Sequence, residues 1–143
     1  MVSAPFVFAL MVSASAAASD GSGTEPTMRN AHLAAVTKVT IEHNGATSPA
    51  ATEPAPQCAD FKLSPQEVRK YLGTAAEVAE HDYLHMLDWS PCNASGKVTF
   101  KGGVTGTWEI QQYRAGSLKL SNGRTVYLYC PKCKAKAFPA ADE

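Results

Sequence analysis

Four cysteines and a pair of histidines are the side chains in this sequence best suited to chemistry. Cys130-Pro131-Lys132-Cys133 is a C-x-x-C motif, a spacing used by redox dithiols and by zinc knuckles. A redox role needs an exposed thiol of lowered pKa, generally at a helix N-terminus inside a thioredoxin-like βαβ frame. Lys132 and Lys134 favour a thiolate, which keeps a thiol–disulfide redox protein as one alternative. Against it, the motif follows a strand pattern, and Lys134-Ala135-Lys136-Ala137-Phe138-Pro139 is too little chain to complete such a frame.

His81 and His85 stand four apart and share a face if their segment is helical. With Cys130 and Cys133 they make a candidate zinc set, and Cys58 and Cys92 would replace the histidines in a four-thiolate site. A zinc-stabilised domain is therefore the second alternative. His81-Asp82-Tyr83-Leu84-His85 also resembles the H-E-x-x-H metalloprotease helix. Its Asp82 is too short to reach a metal-bound water well, and no third ligand is evident. There is no G-x-S-x-G elbow, phosphate-binding glycine loop or paired-carboxylate motif. Asp82 and Asp88 near His85 do not separate from background. The expectation is a non-enzymatic protein with no catalytic residue, no metal and no cofactor.

The compartment decides between these uses of sulfur. Pro5 to Val12 is an apolar run too short to span a bilayer. Small residues follow it, with an A-x-A cleavage pattern after Ala16 or Ala18, which is signal-peptide anatomy. No Lys or Arg precedes the run, a departure from that pattern. No other stretch reads as a membrane helix, so the expectation is a periplasmic or secreted protein that is not integral to a membrane. In an oxidising compartment Cys58, Cys92, Cys130 and Cys133 read as disulfides. Pairing Cys58 with Cys92 and Cys130 with Cys133 is preferred because vicinal C-x-x-C pairs close readily. A crossed pairing of Cys92 to the C-terminal motif stays open.

The elements that must position these residues form one domain, since 143 residues hold one modest core. Residues 1–18 read as signal peptide and 19–57 as a flexible Ala/Pro/Thr-rich tether with a possible strand over 33–41. The domain itself spans 58–138, leaving 139–143 as a tail. Its helix starts at Ser64-Pro65-Gln66-Glu67, with an N-cap hydroxyl, proline at the first position and an acid three residues after the cap. Leu63 and Val68 are placed for a hydrophobic staple. Val68, Tyr71, Leu72 and Ala75 share one face.

From Ser95 the period changes to two. Val98/Phe100, Trp108/Ile110, Leu118/Leu120 and Val126/Leu128 mark short strands separated by glycine turns. A three-residue Ser121-Asn122-Gly123 loop with left-handed Gly123 sets Leu118 opposite Val126 and keeps the aliphatic residues on one face. The expected fold is therefore α+β: a short helix packed on a three- or four-stranded antiparallel meander, stapled by disulfides. The opposite face would carry Tyr113, Tyr127, Tyr129, Glu109, Gln111 and Thr99. Asn93-Ala94-Ser95 is a glycosylation sequon.

The net charge of zero argues against nucleic acid. Locally, every charge between Ile110 and Ala141 is positive. Tyrosine with arginine is the pairing favoured at protein-binding hot spots. Tyr113, Arg114, Arg124, Tyr127 and Tyr129 are thus the candidate partner-binding residues. The expected partner is an unknown protein or cell-envelope component: an acidic protein, anionic headgroups or a cell-wall polymer. The function expected is a binding module, of inhibitor or immunity type.

Trp89-Ser90-Pro91-Cys92, Ser95-Gly96-Lys97-Val98-Thr99-Phe100, Trp108 and Tyr129-Cys130-Pro131-Lys132-Cys133 resemble landmarks of small, uncharacterised exported proteins of Gram-negative bacteria. The resemblance covers about residues 58–138 and implies no activity. Ser95-Gly96 before a strand is also similar to the inhibitory loop of periplasmic inhibitors of C-type lysozyme. The cysteine arrangement and strand set of that family are missing here, so no function is carried over from it.

Overall fold

The computed structural model describes residues 25–140; the expected signal peptide lies outside them. The strands are β1 (Arg29–Asn30), β2 (Val36–Thr47), β3 (Ala76–Val78), β4 (Cys92–Phe100), β5 (Thr105–Gln111), β6 (Ala115–Leu120) and β7 (Thr125–Tyr129). Helices α1 (Pro65–Thr74) and α2 (Glu80–His85) and a 3-10 turn at Pro56–Asp60 complete the described chain. All seven strands form one antiparallel sheet, ordered β1-β3-β7-β6-β5-β4-β2.

This corrects the expected fold class. The domain is mostly β, with seven strands and short helices, rather than a helix on a three- or four-stranded meander. Residues 29–47, read as tether with a strand at 33–41, supply β1 and the twelve-residue β2. Register irregularities between Val36 and Lys38 and after Ile41 interrupt the two-residue period of β2 and hide it from pattern reading. The third added strand, β3, has three residues and is too short to show a period.

β1 and β2 lie at opposite ends of the strand order, yet only residues 31–35 join them. That connection reaches about 20 Å at most, whereas seven strands laid flat span about 29 Å. The sheet must therefore curl, and the joining segment crosses its open end, where His32 and Leu33 line a cleft with Phe100, Leu120 and Arg124.

The core fills the inside of the curl. Val98, Phe100, Trp108, Ile110, Leu118, Val126 and Leu128 are buried there with Val68, Tyr71 and Leu72 of α1. Leu118 stands opposite Val126, and Gly123 turns the chain at φ +90°. Trp108 is fully buried, and its indole N–H donates to the Lys97 carbonyl at 3.1 Å, which removes the cost of hiding that donor. Ser64 and Glu67 close a reciprocal capping box on α1.

Two glycines permit the closest approaches. A Cβ on Gly96 would stand 1.9 Å from the Thr40 carbonyl oxygen of β2, and one on Gly116 would meet the Tyr71 hydroxyl at 2.8 Å. The disulfides join Cys58 to Cys92 and Cys130 to Cys133. The first ties the 3-10 turn to β4. The second closes the turn after β7.

Candidate functional site

Half-buried aromatic side chains project from the outer face of β7, and exposed ones lie in the segments before β4 and after β5. Two-residue alternation that buries Val126 and Leu128 turns Tyr127 and Tyr129 outward. α2 lies over this side, and the Tyr83 and Tyr127 rings sit 4.8 Å apart. Val78, fully buried, lies on the β3 strand that pairs with β7.

The chain between α2 and β4 is pinned to the sheet by Ser90. Its backbone N–H donates to Gln111 Oε1 at 2.7 Å, and its hydroxyl to Gln112 Oε1 at 2.9 Å. The hydroxyl also accepts from the Cys92 N–H at 3.1 Å. Trp89 and Tyr113 are the immediate neighbours of Ser90 and Gln112, so that bond sets both beside it. Trp89 is 57% exposed and Tyr113 42%, while Leu84 and Met86 are exposed just before them. An indole left in water beside a hydrogen-bonded anchor is poised for contact, since burying such a side chain on association contributes strongly to affinity.

Acidic groups surround these rings. Burial raises the Tyr127 hydroxyl pKa first, and Glu80, whose carboxylate accepts from that hydroxyl at 3.3 Å, raises it further. Partial burial raises Tyr129, then Glu25 and Asp88 add to the shift while Arg114 opposes it. Tyr83 is raised by burial, then by Glu109 and Tyr127, against a hydrogen bond to Gln111. Residues 76–96 contain Glu77, Glu80, Asp82 and Asp88 and neither Lys nor Arg.

Of the five residues expected to bind a partner, Tyr127 and Tyr129 project from this face, and Tyr113 is exposed in the turn between β5 and β6. The two arginines are engaged elsewhere. Arg124 binds Glu77 at 2.6 Å, and Glu77 also holds Arg29 at 2.8 Å. Arg114, at φ +70°, donates to the carbonyls of Cys133 at 2.9 Å and Pro139 at 2.6 Å and lies over the Phe138 ring. It ties down the C-terminal segment. Trp89, Leu84 and Met86 were not expected here; the chain beside Trp89 is held by Ser90 to Gln111 and Gln112 of the sheet.

The other candidate chemistry has its own geometry. Cys130 and Cys133 are buried within a turn whose Cys133 N–H donates to the Cys130 carbonyl. The motif opens no helix whose N-terminal end would stabilise a thiolate. His81 and His85 share the exposed side of α2 with rings 4.7 Å apart. Among the described residues no group of three or more His, Cys, Asp or Glu is placed to hold a metal. Asn93 of the sequon is buried in β4. No helix among the described residues is long and apolar enough to cross a membrane.

Fold and face together define a disulfide-bonded, mostly β domain carrying an aromatic surface edged by acids. No protein-family model, curated protein or solved structure matches the chain. The Trp89–Cys92 and Tyr129–Cys133 landmarks stand without a matching family.

Proposed function

We propose that this protein is a non-enzymatic exported binding module, of inhibitor or immunity type, that docks a partner protein through its aromatic outer face. The observation that carries the reading is two exposed rings, Trp89 at 57% and Tyr113 at 42%, on the residues adjoining the two ends of the Ser90–Gln112 hydrogen bond. Exposed aromatic residues grouped this way supply large contact area at small entropic cost. The acids beside them change the expected partner. Glu80, Asp82 and Asp88 suit a surface rich in Lys and Arg, whose cations also favour the faces of Trp and Tyr. Export is supported by two disulfides, which persist in oxidising compartments.

The test is affinity for a partner captured from the cell envelope, measured by calorimetry with three variants. Trp89→Ala/Tyr113→Ala should weaken binding by about thirtyfold, the scale of one hot spot. Asp82→Lys/Asp88→Lys should weaken it as well, while Lys101→Ala, in the turn at the far end of β4 from Ser90, should leave it unchanged. Wild-type affinity in both double variants would overturn the reading.

A further inference from the structure

β2 forms one edge of the sheet, pairing on one side with β4. The hydrogen bonds of β4 fix which way the backbone groups of β2 point. Phe100 N–H donates to the Val104 carbonyl and Gln112 N–H to that of Cys92, so the even residues of β4 bond to β5. The odd residues Lys97 and Thr99 therefore bond to their β2 partners, Thr40 and Lys38. Val39 and Ile41, between and beyond these, turn their N–H and C=O groups outward.

Both ends of this edge are covered from within the chain. Arg69 donates to the carbonyls of Val36 at 2.8 Å and Thr37 at 3.4 Å. At the other end, Asn44 exchanges hydrogen bonds with the Leu63 backbone, and Gly45 N–H donates to the Phe61 carbonyl. Among the described residues, no bond reaches the outward groups of Val39 or Ile41. Sheet edges of this kind are templates for another strand.

The side chains indicate which strand fits. Lys38 and Glu42 stand two residues to either side of Thr40 in the chain, and all three are exposed; Glu42 is the extra residue at the register shift after Ile41. A two-fold centred on Thr40 sets Lys38 opposite the second copy's Glu42, and Glu42 opposite its Lys38. The same axis sets each Val39 opposite an Ile41, matching outward groups with outward groups. Centring on Val39 instead puts Lys38 opposite Thr40, and centring on Ile41 puts it opposite Asn44; neither pairs opposite charges. Lysine on an edge ordinarily blocks pairing; here a glutamate four residues on answers it. Val39 and Ile41 already pack against the core and would extend its apolar face across the seam.

We infer that β2 is a self-association edge, through which two copies join antiparallel about Thr40 into one continuous sheet. The contact is isologous and closes on itself. Sedimentation of the full chain, purified from its native compartment, tests this across a concentration series. Wild type should dimerise. Lys38→Glu and Glu42→Lys should each weaken association by about tenfold by setting like charges opposite, and the double exchange Lys38→Glu/Glu42→Lys should restore it. A wild type that stays monomeric, with the edge left to a strand of another protein, would overturn the inference. So would single variants that dimerise as wild type does, or a double exchange that fails to recover. Amide exchange supplies a second reading: Val39 and Ile41 should gain protection with concentration, and unchanged protection in the dimer would count against this seam.

Discussion

The two disulfides should contribute unequally, and their loop lengths say by how much. Cys58–Cys92 closes a separation of 34 residues and Cys130–Cys133 one of 3. In the chain-entropy relation the first removes about 12.6 cal/mol/K from the unfolded ensemble, or about 3.8 kcal/mol at 25 °C. The second removes about 5.4 cal/mol/K, or about 1.6 kcal/mol. Cys58 and Cys92 are also the more deeply buried pair, so truncating them adds a packing loss in the same direction. The assay is urea unfolding of Cys58→Ala/Cys92→Ala and Cys130→Ala/Cys133→Ala beside wild type. The first variant should lose more than twice what the second loses. Its m-value should also rise, because the freed chain exposes more surface when unfolded. A C-x-x-C variant as costly as the long-loop variant would refute the argument and mark the short bridge as holding native structure directly.

Three further outcomes follow from particular atoms. Gly96→Ala should destabilise by about 2 kcal/mol or more, because its methyl enters the Thr40 carbonyl, whereas Gly73→Ala, in open space within α1, should stabilise by about 0.5–1 kcal/mol; thermal melts of the two separate the cases. Burial holds the Tyr71 hydroxyl well above the usual tyrosine range, with Tyr83 and Tyr129 raising it further. The folded chain then keeps a proton that the unfolded chain releases near pH 10, so stability is full below that pH and falls as pH climbs past it. Tyr71→Phe loses the bond to the Arg114 carbonyl at a cost of about 1 kcal/mol and should flatten that alkaline fall in a pH series of denaturant melts. Glu77→Gln should weaken the Arg29–Glu77–Arg124 cluster by less than about 1 kcal/mol, an effect that fades with added salt.

Local signals in the sequence carried much of this structure. The capping box needs only Ser64 and Glu67, and the β6–β7 register follows from aliphatic alternation about a turn at Gly123. The disulfide pairing matched the preferred reading but rested on a choice that spacing alone left open. What stayed hidden depends on distant partners. β2 is an irregular edge strand, half-exposed, so no clean alternation betrays it. Arg124 is withdrawn by Glu77, which lies 47 residues away, and Arg114 by two backbone carbonyls of the C-terminal segment. Neither engagement leaves a mark on the arginine's own neighbourhood in the chain. The aromatic face was legible through Tyr127 and Tyr129, whose outward direction follows from strand parity. Trp89 was not: the chain beside it is held in place by Ser90's bonds to Gln111 and Gln112, partners far away in the sequence.

Site-specific photo-crosslinking in living cells tests the binding face most directly, with the photoreactive residue at 89, at 113 and, as a control at the far end of β4, at 101. Positions 89 and 113 should both trap one and the same partner with a basic surface, and 101 should trap none. A partner trapped at 101 while 89 and 113 stay unreacted would contradict the assignment of this face.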